Sequence, residues 1–410
     1  MKNIPKIRFP EFSGEWMEKK LGEVCEFKQG VQVDISLHEN TKNKKNVRFL
    51  RIENYTQNSK NFRYIPKKFA KNNFICKKDI VIVRYGATAG FVGRGLRGVL
   101  ANNLFRVIPN QNILTNQFLF YILKHPKIFN YFQSEMAGAA MPAISFNIAK
   151  SLKIHLPPTI EEQQKIASFL SSIDEKIEIT TKKIEKLKKY KKGLLQKLLN
   201  VKNKEPELRF PEFSREWVEK RLGEVCEFFK GKGISKSDVI SEKLRIENGK
   251  LRKCIHYGEL FTIYKERINF IVSYTEKKDG FIGKKGDLLF PSSDVTPDGL
   301  AKVSSLNVDN VLIGNDVIIA RCEENINSNF LSYQINQKKK EILKLVTGST
   351  IKHIYPKDLK SLKIYIPPTL IEQQKIASFL SSIDEKIELN EQKLTKLKEY
   401  KKGLLQKMFV

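Results

Sequence analysis

PPTIEEQQKIASFLSSIDEKIE begins at Pro157, and PPTLIEQQKIASFLSSIDEKIE begins at Pro367. The two differ only at Ile160/Leu370 and Glu161/Ile371. The repetition reaches further. IRFPEFSGEWMEKKLGEVCEF at Ile7 is matched by LRFPEFSREWVEKRLGEVCEF at Leu208, and LRIEN at Leu50 recurs at Leu244. SLKI at Ser151 and Ser361 leads into each Pro-Pro, and YKKGLLQK follows at Tyr190 and Tyr400. A period this long marks a duplicated domain, not a solenoid. Between the shared segments the two copies differ, so something constrains the shared parts and leaves the rest free.

Each copy reads as a mixed globule followed by one long helix. KNVRFLRIEN, DIVIVRYG and NLFRVIP are strand-like, as are GDLLFP and NDVIIARC in the second copy. TNQFLFYILKHPKIFNYFQS and SNFLSYQINQKKKEILKLV have amphipathic helical patterns with polar N-caps. The expected division is residues 1–158, a first globule; 159–200, a first helix; 201–367, a second globule; and 368–410, a second helix. This is an α+β chain with a pseudo-twofold internal repeat.

Thr159 precedes Glu162 by three residues, and Thr369 stands in the same relation to Glu372. This is the spacing of a capping box, in which hydroxyl and carboxylate satisfy free N–H groups at a helix start. The prolines before each Thr keep the chain extended up to that point. A heptad seam follows in each copy: Ile166, Leu170, Ile173, Ile177, Ile184, Leu187, Leu194 and Leu198, then Ile376, Leu380, Ile383, Ile387, Leu394, Leu397, Leu404 and Met408. Thr180 and Asn390 interrupt one register position, and Lys191 and Lys401 another; such polar positions can fix register. Gly193 and Gly403 are expected near fraying ends. Helices of roughly 40 residues reach roughly 60 Å at about 1.5 Å per residue. The first helix carries the chain to globule two, so the second must run back to bury its seam. The expected result is a long antiparallel two-helix coiled coil separating two similar mixed α/β domains. Phe9, Phe12 and Trp16, with Phe210, Phe213 and Trp217, are candidates to seat the helix ends.

Lys and Arg number 74 against 45 Asp and Glu, a net charge of +29. Such a surplus points to a polyanion, with nucleic acid first. No run approaches the roughly 20 apolar residues of a membrane span, and the N-terminus has no secretory pattern. The cysteines, Cys25, Cys76, Cys226, Cys254 and Cys322, form no C-x-x-C pair. They suggest no disulfide framework and no zinc site, and they fit a reducing cytoplasm.

Two basic globules on a rigid spacer suit a ligand with two sites at fixed separation, and duplex DNA is such a ligand. Base edges are read by Arg, Lys, Asn, Gln and short hydroxyl side chains. The candidates in globule one are Arg48, Arg51, Asn54, Tyr55, Arg84, Tyr85, Arg94, Arg97 and Asn102. In globule two they are Arg245, Asn248, Lys250, Arg252, Ser292, Ser293, Asp294, Lys302, Lys352 and His353. YGATAGFVGRGLRG, from Tyr85, lacks the GK[ST] of a P-loop. No [DN]-P-P-[YF] occurs, so the adenine-gripping loop of a methyltransferase is missing. Asp174-Glu175-Lys176 and its copy at Asp384 match a nuclease string only on the helices. The five histidines show no metal-ligand spacing and no triad.

A globule, PPT…EQQKIA.FL..ID.KI and a heptad helix, all repeated, resemble the DNA-specificity subunit of type I restriction-modification systems. That resemblance spans essentially the whole chain. It implies two target-recognition domains, each reading half of a bipartite double-stranded DNA site, and paired helices that set the spacing. It implies docking of two methyltransferase subunits and, where a nuclease is present, two restriction subunits. The chain itself would be non-catalytic and without cofactor or metal. S-adenosylmethionine would belong to the methyltransferase partner, and ATP and Mg to the restriction partner. The polar helix faces, such as Glu162, Gln163, Gln164 and Lys165, are candidate docking surfaces. Two other readings are the recognition part of a fused restriction-methyltransferase enzyme and a coiled-coil scaffold that binds only protein.

Overall fold

The computed structural model describes residues 3–137, 142–241 and 251–410. The chain forms two compact units, Met1–Thr181 with Gln392–Val410, and Lys182–Glu391. The α+β reading holds in both.

In the first unit one sheet has the order Cys25–Gln29, Leu104–Pro109, Ile80–Val83 and Val92–Gly93, all antiparallel. A second sheet orders Arg63–Pro66, Asn46–Leu50, Gly98–Leu100 and Phe74–Ile75, with its middle pair parallel. Met17–Lys20 pairs with Lys153–Leu156 and brings the chain back to the Pro-Pro. Among the described residues the second unit has two five-stranded sheets, and Val218–Arg221 pairs with Lys363–Ile366 in the same way.

The helix expected from TNQFLFYILKHPKIFNYFQS is two helices, Asn116–Leu123 and Pro126–Glu135. Pro126 lacks the N–H to continue the first and sits at the start of the second, capped by His125. The copy is likewise divided into Ser328–Gln337 and Lys339–Leu345.

The long helices run Ile160–Leu199 and Leu370–Met408. In the first unit Ile166, Leu170 and Ile173 share one core with Leu404, Met408 and Phe409. In the second, Leu194 and Leu198 share one with Ile376, Leu380, Ile383 and Ile387. Each pairing joins the start of one helix to the end of the other. Lys188 meets Glu391 at 2.6 Å and Lys191 meets Asp384 at 2.7 Å, which is the antiparallel sense. The seam does more than zip two helices. In the first unit it is continuous with Trp16, Phe105 and Phe118 of the globule. Gly193 and Gly403 stand inside the helices, not at frayed ends.

Candidate nucleic-acid interface

The shared segments build a clamp between each globule and its helix. Thr159 Oγ1 accepts the Glu162 N–H at 3.3 Å, and Thr369 Oγ1 accepts the Glu372 N–H at 3.3 Å. The carboxylates do not close the expected capping boxes. Glu162 accepts from Arg8 Nε and Nη2, both at 2.8 Å, and from Trp16 Nε1 at 3.3 Å. Glu372 accepts from Arg209 at 2.8 and 2.9 Å and from Trp217 Nε1 at 3.1 Å. A bidentate guanidinium is a stronger partner than one backbone N–H, so the Arg wins.

Gln163 and Gln373 point inward as well. Gln163 accepts the Thr115 N–H at 2.9 Å and donates to the Ile113 carbonyl at 2.8 Å. Gln373 accepts the Asn327 N–H at 2.8 Å. Thr115 and Asn327 are the N-caps of Asn116–Leu123 and Ser328–Gln337. Glu162 and Gln163 are therefore buried and are no outer docking face; Gln164 and Lys165 remain exposed. Phe9 packs edge-on against Phe169, and Phe210 does so against Phe379.

A second contact joins both helices to each globule. Tyr121 donates to Asp174 at 2.8 Å, and Lys401 pairs with the same carboxylate. Tyr333 donates to Asp384 at 2.6 Å, and Lys191 pairs with Asp384 and, at 3.0 Å, with Glu266. Burial opposes the charge of Lys191, but Glu266 and Asp384 outweigh it and raise its pKa. Burial, then Asp174, pushes the Tyr121 phenol up to about 12. The nuclease-like Asp-Glu-Lys strings are thus junction residues. Of the polar seam interruptions, only the lysines cross between helices. Thr180 and Asn390 bond back to their own helix, at the Lys176 and Lys386 carbonyls.

The first-unit DNA candidates fall into separate groups. Arg48 and Arg97 are exposed and flank Gly98, stacked over Phe62 at 4.5 Å and Phe74 at 5.2 Å. Arg84 lies 4.8 Å from the Tyr85 ring, where Tyr85 bridges to Ala143. Asn102 bonds to Gln32, and its carbonyl accepts from Gln29, two polar neighbours that sequence reasoning missed. Arg94 lies 3.8 Å over Phe120 and lines a cleft with Gln164 and Ser168 of the helix, apart from the others. Asn54 and Tyr55 are corrections: both are buried. Asn54 holds the Arg51 N–H and the Ser59 carbonyl, and Tyr55 packs so tightly on Gly93 that a Cβ there would lie 2.5 Å away. Arg51 is half-buried and paired with Glu53 at 2.7 Å.

In the second unit Arg245, Asn248 and Lys250 lie outside the described residues. Arg252 ties the Lys278 carbonyl to Asn310, and Lys302 donates to the Phe261 carbonyl at 3.3 Å, so both are engaged internally. The remaining five come together. Ser293 pairs with His353 and Asp294 with Lys352 in a two-stranded antiparallel ribbon. The Ser292 carbonyl accepts the Ile354 N–H at 3.1 Å. His353 also exchanges backbone bonds with Thr347, closing an exposed loop through Gly348, whose φ is +99°. A Cβ at Gly348 would lie 2.2 Å from the Ile351 carbonyl oxygen, so only glycine fits. The equivalent place in the first unit is the Tyr85–Ala143 bridge, where the Arg84 carbonyl accepts the Ile144 N–H. The backbone is alike and the side chains are not.

Comparison with known proteins agrees with this duplicated design. The model of the type I restriction modification DNA specificity domain matches residues 13–189 and again 214–399. The MjaVIII type I restriction enzyme specificity subunit of Methanocaldococcus jannaschii is 28% identical over 363 residues, 83% of this chain and 81% of that protein. The putative MjaX specificity subunit of the same organism is 31% identical over 311 residues, 74% of this chain and 69% of that one. The crystal structure of a type I S subunit from M. genitalium has the same fold, with a TM-score of 0.68 at 17% identity over 99% of each chain. This chain, with two recognition domains and two paired long helices, belongs to the DNA-specificity subunits of type I restriction-modification systems.

Proposed function

We propose that each recognition domain reads one half of a bipartite duplex site, and that the paired helices set the distance between halves. The carrying observation is the contrast between the ribbon of Ser293–Asp294 with Lys352–His353 and its counterpart at Tyr85 and Ala143. One backbone design presents unlike side chains, as unlike half-sites require. The net charge of +29 supplies the attraction to phosphate.

The same helices dock methyltransferase subunits at two equivalent places. Tyr190 and Tyr400 are exposed, and a Cβ at Gly193 or Gly403 would have nothing within 4 Å. A glycine inside a helix costs about 1 kcal/mol relative to alanine. Neither is required by a neighbour in the structure, and both stand three residues after an exposed tyrosine. Such a face suits close approach by a partner protein. The chain is non-catalytic; adenine methylation, with S-adenosylmethionine, belongs to those partners, and ATP and Mg to a restriction partner. No helix of the described residues is long and apolar enough to cross a membrane.

The test is binding of the full chain with its methyltransferase to duplex DNA at rising salt. Affinity should fall by roughly 10³-fold or more between about 50 and 200 mM if about six or more phosphates are contacted. A salt-independent affinity, or none, contradicts DNA recognition and favours a protein-only scaffold.

A further inference from the structure

We propose that Val295 and Ile351 read the C5-methyl group of thymine in the major groove of the second half-site. The proposal rests on the DNA reading above. The pairing of Ser293 with His353 and of Asp294 with Lys352 runs antiparallel and stops there; Val295 and Ile351 are the next residues of the two segments, both in bends at that end of the ribbon. Both are exposed, Val295 at 73% and Ile351 at 51%. Two aliphatic side chains thus lead a ribbon whose other members are hydroxyl, carboxylate, ammonium and imidazole groups.

The backbone under them is braced. Asp294 Oδ1 accepts the Val295 N–H at 2.7 Å, and Oδ2 accepts the Thr296 hydroxyl at 2.9 Å. Lys352 Nζ donates to the Gly348 carbonyl at 2.7 Å, across the turn that carries Ile351. His353 stacks toward Tyr355, with ring centres 6.2 Å apart and planes at 23°. A braced tip of this kind holds its shape while presenting apolar surface to water, and among the described residues neither side chain joins a hydrophobic core.

The major groove admits a two-stranded ribbon. Among groups on the base edges in the major groove, the thymine methyl is the apolar one. Ser293, Lys352 and His353 stand one and two pairs behind the tip. There they can meet phosphates or polar base edges beside a contacted thymine. The first unit has Tyr85 and Ala143 at the comparable bridge, so the two halves would differ in their demand for a methyl group.

The test uses the full chain in its methyltransferase complex and a duplex carrying the mapped methylation motif. Each thymine of the second half is replaced in turn by deoxyuridine, which removes only the methyl group. At one or two positions the wild-type complex should bind about fourfold less tightly, the loss expected for one methyl-sized group. Val295→Ser and Ile351→Ser, on the surface and checked for folding by circular dichroism, should bind the thymine and uracil duplexes alike. Equal wild-type affinity for every uracil duplex overturns the inference and leaves the DNA reading standing. A second half-motif without an A·T pair also overturns it. So does variants' loss of a protein subunit with unchanged thymine preference. No DNA binding by the wild-type complex overturns the DNA reading itself, and this inference with it.

Discussion

Arg8 and Glu162 form a bidentate pair, both contacts at 2.8 Å, across 154 positions of sequence. Arg209 and Glu372 form the same pair across 163. Each pair sits under a tryptophan whose indole N–H joins the carboxylate. The glutamates are 1% exposed, so each carboxylate is held out of water. This explains why RFPEF, the following Trp and EQQKIA are duplicated together: they are two sides of one joint.

Removing one partner of a buried pair leaves the other uncompensated, which costs about 3–5 kcal/mol. Glu162→Ala or Glu372→Ala should therefore lower the urea midpoint strongly. Glu161→Ala, at an exposed position one residue away, should leave it nearly unchanged. Equal effects at the two positions would contradict the joint.

Tyr121 reports on the junction with Asp174 and Lys401. Its pKa is raised from 10.0 to about 12. A phenol with a raised folded-state value stabilises the fold fully below its unfolded value and loses that contribution as pH rises through the folded one. Stability should fall between pH 10 and about 12, and Tyr121→Phe should flatten that fall. At neutral pH the variant should lose about 1.5–3 kcal/mol, the range for a hydrogen bond to a charged group. Thermal unfolding of both proteins across this range provides the check.

His125 sets an acid limit on the first unit. Its Nδ1 accepts the Lys127 N–H at 3.1 Å and caps Pro126–Glu135, which requires an unprotonated nitrogen. Burial, then Lys127, lowers its pKa below 6.5. A lowered value means that the contribution is present above 6.5 and lost as pH falls through the folded value. His125→Asn keeps a cap that cannot titrate. Its melting temperature should fall less below pH 6.5 than that of the wild type, by an amount matching a cap of about 1 kcal/mol.

The repeat, the heptads and the helix starts were legible in the sequence because they are local or periodic. Long-range pairings were not. Thr159 and Glu162 carry the spacing of a capping box, yet Arg8 outbids the backbone N–H for the carboxylate, and nothing near Glu162 in sequence signals it. Gln163 reads as part of an outer docking face because the helix pattern alone cannot see the Thr115 and Ile113 groups it meets. Asn54 and Tyr55 looked like readers by residue type, and burial against Gly93 and the Ser59 turn removed them. The ribbon brought Ser293 and His353 together from sequence-distant segments, and left Val295 and Ile351 exposed at its end, residues that no rule about polar readers selects.

The spacer makes its own prediction. One heptad inserted after Thr181 and one after Glu391 preserve the seam phase and lengthen each helix by about 10 Å. At about 3.4 Å per base pair, the gap in the recognised motif should grow by about three pairs, with the letters of both halves unchanged. Sequencing of methylated sites from cells carrying the variant reads this directly. Altered letters would mean that the helices do more than hold the domains apart.

The central claim is that this chain directs adenine methylation to a split site with two unlike halves. Genome-wide adenine-methylation mapping in cells with and without the gene tests it most directly. The account predicts loss of one bipartite motif on deletion and its return on complementation. An unchanged set of methylated motifs would contradict it.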